Sequence, residues 1–518
     1  MSKMVFVTGG VLSSLGKGII ASSIARLLKD NGLKINMMKL DPYLNVDPGT
    51  MSPIEHGEVF VTYDGGETDL DLGHYERFLS QALSKKSSVS SGQIYQSVID
   101  QERQGAFLGK TVQVIPHITN EIKKRIVDNA KDYDLLFVEL GGTVGDIESL
   151  PFLEAIRQLQ FEHECYFIHG AYVPFLRSSN ELKTKPVQHS VRELQSLGIR
   201  PNMIVTRNEV PLTESAMNKI ANLCGVELEN VIQAIDVDSV YKIPLILHNQ
   251  HVDEIIAKYF GLQLNNNDHE ELRTIIDKMN NGKQVCKIAI VGKYTQLADA
   301  YKSVIEAIKH ACIANQVEDE IDLIDSNEID VDQLRNYDGV IVAGGFGNSG
   351  IEGKIQAITY VRENNIPFLG ICLGMQLACV EYANNVCNLN VVHGEFEDGD
   401  KIIDIMEDQD LNQLGGTLRL GNYSCSLAKG SLAHNVYQQD EIQERHRHRY
   451  EFNNEYRNIL EQNGLVFSGI NKERDLVEII ELPSHKFFIA SQFHPEFSSQ
   501  LTNPNPLFVE LVKASINK

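Results

Sequence analysis

Gly370-Ile371-Cys372-Leu373-Gly374 has the glycine–x–nucleophile–x–glycine form of a sharp strand-to-helix turn. The glycines permit the turn that exposes the thiol, and the helix start favours its anion. Gly344-Gly345-Phe346-Gly347 follows an apolar run and offers backbone N–H groups for a developing oxyanion. Further on, His494 and Glu496 stand two residues apart. A histidine can take the thiol proton while a carboxylate orients the ring. The order Cys372, His494, Glu496 is therefore read as a thiol hydrolase set, and the other seven cysteines as buried structural residues.

A second chemistry lies at the other end of the chain. Gly9 to Gly18 is glycine-rich and contains the pair Gly16-Lys17. Such a loop presents backbone N–H groups to phosphate, and Lys17 would reach the outer phosphates. Five residues rather than four separate Gly10 from Gly16, and Gly18 replaces the usual metal-binding hydroxyl. Carboxylates must then hold a Mg²⁺ ion, and the candidates are Asp71 and the strand-end Glu139. Lys39 is placed at the ligand-binding edge of a sheet. Lys183 and Lys185 form a cationic pair in a loop suited to a second polyphosphate. The run 444–451 alternates Arg and His and is read as a binding surface for a small carboxylate.

These residues need strands to end beside them. Apolar runs at Val5–Thr8, Ile35–Leu40, Leu135–Leu140 and Met203–Thr206 alternate with helical patterns, one of them from Gly16 to Asn31. This argues for an α/β fold of two Rossmann-like, doubly wound domains with mainly parallel sheets. The polar stretch around 262–284, with a short charged helix inside it, marks the boundary, and a new strand starts near Lys287. The expected division is 1–264, a linker 265–285, and 286–518. The serine-rich stretch Lys86–Gly92 reads as a surface loop.

The 518 residues are 42% hydrophobic and 23% charged, which is ordinary for globular domains. The net charge of −23, from 70 acidic and 47 basic residues, argues against a nucleic-acid polymer as partner. No apolar stretch is long enough to cross a membrane and no signal peptide is visible, so a cytoplasmic location is expected. The eight cysteines show no paired metal-ligand spacing.

The cysteine elbow with His494-Pro495-Glu496 resembles a class I glutamine amidotransferase. The N-terminal loop, Asp41–Met51, Gly141–Glu148 and Lys183–Gln188 resemble the CTP synthases, and the likeness runs from Val5 to about Phe508. The resemblance implies a P-loop NTPase-like amidoligase domain that phosphorylates UTP with ATP and then aminates it to CTP. Ammonia would come from glutamine through a thioester on Cys372. ATP would be held by Ser14, Leu15, Gly16, Lys17, Gly18, Ile19 and Asp71, with Ile235, Asp236 and Val237 on its adenine side. UTP or CTP would meet Ser13, Asp146, Ile147, Glu148, Lys183, Thr184, Lys185, Pro186, Val187, Gln188 and Lys219. Glutamine would meet Gly345, Leu373, Gly374, Met375, Gln376, Glu395 and Arg449. Asp71 and Glu139 would hold Mg²⁺. The family implies homotetramers, activation by GTP and inhibition by CTP.

Four departures accompany the resemblance, one being Gln413 before the kept Gly415–Gly421 segment, where a charged residue is common. The stretch between Phe396 and Gly415 is short. Val392-His393-Gly394-Glu395 stands where the family carries Asn-Ser-Thr-Glu. Ile235 replaces a usual Lys. All but that at Ile235 bear on GTP activation and on coupling of glutamine hydrolysis to synthesis. A corrinoid-type amidase is disfavoured by the Lys183–Gln188 and Asp41–Met51 runs, and a purely filament-forming role by the complete thiol set.

Overall fold

The computed structural model describes residues 1–10, 15–282, 284–405 and 418–517. The expectations for Ser13 and Ser14, and residues 406–415 of the short stretch that ends at Gly415, lie outside the described residues. The chain forms two compact units: Met1–Asp47 with His74–Ile276, and Pro48–Gly73 with Asp277–Lys518. The segment 48–73 thus groups with the second unit although it precedes the boundary expected from the sequence.

The first unit is built on a seven-stranded sheet. Its spatial order is Val231–Ile235, Met203–Asn208, Glu164–Tyr172, Lys3–Gly9, Leu135–Leu140, Ile35–Asp41 and Ser88–Ser90. Every pairing is parallel. Parallel sheets need both faces covered, so the central strands are buried on both faces and read as mostly apolar runs rather than alternating ones. Helix Lys17–Asp30 leaves the central strand and buries Ile20, Ile24, Leu27 and Leu28. Their three- and four-residue spacing is what the sequence pattern required. The order of strands reverses beside Lys3–Gly9, which is where open α/β sheets place ligands.

The serine-rich stretch is not a surface loop. Ser88–Ser90 is the buried edge strand of this sheet, and the Ser90 hydroxyl accepts from Gln93 N–H at 3.1 Å to cap the next helix. Lys183–Gln188 is only partly loop, because helix Lys185–Ser196 begins within it.

The second unit has a nine-stranded sheet ordered Glu318–Asp325, Val285–Gly292, Gly339–Val342, Phe368–Ile371, Phe488–Ser491, Leu476–Glu481, Val466–Asn471, Arg419–Leu427 and Glu441–His448. The first five strands run parallel. The remaining pairings are antiparallel. Helix Leu373–Asn385 is buried nearly all round and follows the inner parallel strand Phe368–Ile371. All eight cysteines are unbridged, and all but Cys387 are buried. Among the described residues no helix is long and apolar enough to cross a membrane.

Candidate functional site

The thiol site forms where three parallel strands of the second unit end. Cys372 follows strand Phe368–Ile371 with φ of 53° and ψ of −104°. A positive φ in a non-glycine residue costs about 1–3 kcal/mol and persists where the surroundings impose it. Here Cys372 N–H donates to Ser491 O at 2.7 Å. Both elbow glycines are sterically required. A Cβ on Gly374 would meet Val342 O at 2.1 Å, and one on Gly370 would meet Ala490 Cβ at 2.8 Å.

Strand Phe488–Ser491 delivers the base and the acid. His494 Nδ1 lies 2.7 Å from Glu496 Oε1. Burial disfavours a charged ring, but Glu496 and then Cys372 outweigh it and raise the His494 pKa to about 10. Gly344 sits beside both groups, since a Cβ there would lie 3.2 Å from His494 Cε1 and 3.6 Å from Cys372 Cβ. The loop with oxyanion donors, the thiol and the base therefore converge on one point.

The donor loop is held by Glu395 and by two lysines that the sequence did not single out. Lys354 is fully buried and donates to Ala343 O at 2.7 Å. Burial lowers its pKa to about 7, with Lys293 adding to the effect. The Lys293 ammonium donates to Phe346 O, and Gly347 N–H donates to Glu395 Oε1 at 3.0 Å. Burial pushes the Glu395 carboxyl up, while Gly347, Lys293 and Arg449 pull it down.

Gln376 is wholly engaged inside the protein. It donates to Tyr450 O at 2.9 Å and to Gln492 Oε1 at 3.1 Å, and its oxygen faces His393 Nε2 at 3.0 Å. The His393 departure is therefore built into the site. Burial lowers the His393 pKa to about 3, which keeps the ring neutral. Leu373 and Met375 are buried in the same helix.

A cavity of about 410 Å³ opens over the thiol. Cys372, His494, Gly345, Glu395 and Arg449 line it, together with Tyr294 and residues of the segment 48–73. That segment is fastened by the basic run. Arg447 pairs with Glu67 at 2.8 Å and donates to Gly49 O at 3.1 Å. Arg445 donates to Val61 O at 3.0 Å. The run is thus not a single carboxylate-binding surface. It is the strand Glu441–His448, in which Arg445 and Arg447 anchor a chain segment, His446 and His448 are buried, and Arg449 just beyond faces Glu395 in the cavity.

The phosphate-loop residues lie in the first unit. Gly16 adopts φ of 90° and starts helix Lys17–Asp30, with Leu15, Gly18 and Ile19 beside it. Gly10 serves packing, because a Cβ there would fall 1.7 Å from Ser190 Oγ. Lys17 is 9% exposed and donates to Gly142 O at 2.5 Å. Beneath it, His169 links Thr8 at 2.9 Å to Ser190 at 2.7 Å. Burial, then Lys17, lower the His169 pKa to about 3. Glu139 is the penultimate residue of its strand, opposite Val7 and Lys39, is buried, and accepts from the Tyr75 hydroxyl. Lys39 is itself buried, 3.6 Å from Asp41. Asp71 is half-buried in the first turn of helix Leu70–Leu79, within the segment that groups with the second unit.

A cleft of about 430 Å³ is lined by Val144, Lys185, Pro186, His189 and Ser190. It joins two sequence-predicted residues to His189, which the sequence did not single out. Thr184, Val187 and Gln188 are buried at the start of the same helix. Lys183 pairs with Glu181 at 2.5 Å, and Lys219 is close enough to lower the Glu181 pKa further. Asp146, Ile147 and Glu148 are exposed, and the Asp146 carboxylate accepts from Thr143 N–H at 2.8 Å. Ile235 ends the outer strand, with Asp236 paired to Arg207 at 2.8 Å and Val237 following.

Comparison with known proteins fits both halves. Residues 3–262 match the family described as CTP synthase N-terminus, and residues 296–514 match glutamine amidotransferase class-I. A CTP synthase of Geobacillus kaustophilus is 52% identical over all of both chains. One from Caldanaerobacter subterraneus is 53% identical over all of this chain and 99% of its own. One from Bacillus subtilis is 51% identical with the same coverage. Among solved structures, a Trypanosoma brucei CTPS glutaminase domain with bound acivicin is 37% identical over 45% of this chain and 94% of its own, with a TM-score of 0.43.

Proposed function

The chain belongs to the CTP synthase family, glutamine-hydrolysing ligases, and from that premise we propose how its own residues divide the reaction. The positive-φ Cys372 beside the His494–Glu496 pair is the observation that carries the reading. His494 holds the thiol proton as an imidazolium paired with Glu496, and the Cys372 thiolate attacks the side-chain carbonyl carbon of glutamine. Backbone N–H groups near Gly345 and Leu373 receive the oxyanion. The proton passes to the leaving nitrogen, ammonia departs, and water releases glutamate from the thioester with His494 again as base. Arg449 and Glu395 fit the charged ends of the amino acid, and Gln376 acts by holding the helix start in place.

In the first unit, Lys17 and the amides of Leu15 to Ile19 bind the ATP phosphates, with Ser14 completing the loop. Lys183, Lys185 and Lys219 supply positive charge for the UTP phosphates, and Ser13, Thr184 and Pro186 to Gln188 shape that site. Asp146, Ile147 and Glu148 meet the nucleoside of UTP or of inhibitory CTP. Ile235 to Val237 bound the adenine. Glu139 and Asp71 offer the hard oxygen donors that Mg²⁺ takes, and the buried position of Glu139 near the end of its strand fits that role. When bound, the ion neutralises charge on the phosphates during transfer. ATP phosphorylates the 4-oxygen of UTP, and ammonia displaces that phosphate. The functional division proposed is a synthetase region of 1–264 and a glutaminase region of 286–518 joined by 265–285. GTP activation, a homotetramer and a cytoplasmic location belong to the same proposal.

The test is direct. UTP with ATP, Mg²⁺ and glutamine should give the absorbance change of CTP formation. No CTP under these conditions, with either glutamine or ammonia, would overturn the reading.

A further inference from the structure

Away from both sites, three side chains of the first unit face a common point. His248 ends helix Ile243–His248, Asp253 lies in the first turn of helix Val252–Phe260, and His269 directly precedes helix Glu270–Asn280. His248 Nδ1 is 3.1 Å from Asp253 Oδ2, and His269 Nε2 is 3.9 Å from the same oxygen. One ligand atom from each residue falls within 4.8 Å of the others. Ligand atoms on a tetrahedral ion with bonds near 2.0–2.1 Å stand about 3.3 Å apart, so a small closure of these side chains would seat one.

The surroundings point the same way. The His269 side chain is 0% exposed, and among the described residues its Nε2 makes no hydrogen bond, its neighbour Asp253 Oδ2 standing off at 3.9 Å. A buried polar atom left unpaired is costly, so this nitrogen calls for a ligand. The other ring nitrogen faces Asp30 Oδ2 at 3.4 Å. A carboxylate behind a histidine fixes which nitrogen can bind a metal. Asn31 Nδ2 lies 3.4 Å from Asp253 Oδ2 and orients that carboxylate. His248 is 22% exposed, which leaves an entry path for an ion.

We propose that His248, Asp253 and His269 bind one first-row divalent cation of the Zn²⁺ class, with Asp30 as the orienting carboxylate. Two imidazoles and one carboxylate suit Zn²⁺ and not Mg²⁺, which takes oxygen. The ion would be structural. It joins the segment before helix Glu270–Asn280 to helices Ile243–His248 and Val252–Phe260, beside the end of helix Lys17–Asp30, where Asn267 N–H already donates to Asn31 Oδ1 at 3.0 Å and its side chain to Asp30 O at 2.8 Å. The competing arrangement has no metal: a protonated His269 lies between Asp30 and Asp253.

The experiment uses the full chain, stripped by a chelator, in a Cys372→Ala background that removes the active-site thiol as a metal ligand. Calorimetric titration with Zn²⁺ should show a single tight site, and Zn²⁺ should raise the melting temperature. His248→Ala should abolish both effects, and Asp30→Asn should weaken binding ~10–100-fold. Co²⁺ should give visible absorption in the parent chain that His269→Gln removes. Absence of tight Zn²⁺ uptake, or uptake that His248→Ala leaves unchanged, would overturn the proposal and favour the protonated bridge. His248 is partly exposed, so its variant decides the matter even if His269→Gln fails to fold.

Discussion

At Cys372 the backbone and the side chain serve one purpose. Gly370 and Gly374 leave no space for a Cβ, and the φ of 53° turns the thiol out of the sheet edge toward His494. The pattern of types was legible in the sequence because the elbow and the His-x-Glu pair are short contiguous runs. Lys293 and Lys354 were not legible, because each lies outside those runs and meets the donor loop only after folding. A lysine on the buried face of helix Ile351–Glu363 was the available signal for Lys354. The His494 pKa of about 10 gives a prediction at this scale. A histidine raised from about 6.5 contributes stability in full below that unfolded value, and loses it as pH rises through 10. Glu496→Gln should lower the ring's titration by more than about one unit, read by NMR of labelled histidine. An unchanged titration would remove Glu496 from the orienting role.

Among elements, the segment Pro48–Gly73 departs most from the sequence reading. Its own residues give no hint of where it packs, because its partners Arg445 and Arg447 lie some 380 positions away. The Glu67 side chain is 4% exposed and that of Arg447 is 13%, so removing one charge strands the other. Arg447→Met should speed hydrogen exchange of 48–73 by about tenfold or more while the central strands keep their protection. Unchanged exchange would mean that the segment is held without this pair. Ser88–Ser90 was missed for a different reason. Ser88-Val89-Ser90 holds a single apolar residue, too few to show alternation, so it resembles a loop until the strand Ile35–Asp41 is beside it. The parallel core strands were readable because burial on both faces demands continuous apolar runs.

For the whole molecule, the two chemistries predict separable failures. Asp71→Asn should reduce CTP formation from glutamine and from ammonia alike, by ~100-fold or more, since phosphoryl transfer precedes either amination. Normal turnover of ammonia in that variant would exclude the metal role. The division of labour itself is tested most directly by Cys372→Ala, assayed for CTP formation with each nitrogen source. Glutamine should support no synthesis, and saturating ammonia should support a rate close to that of the parent chain. Loss of both activities, or retention of glutamine-dependent synthesis, would contradict an account in which the thiol serves only to release ammonia.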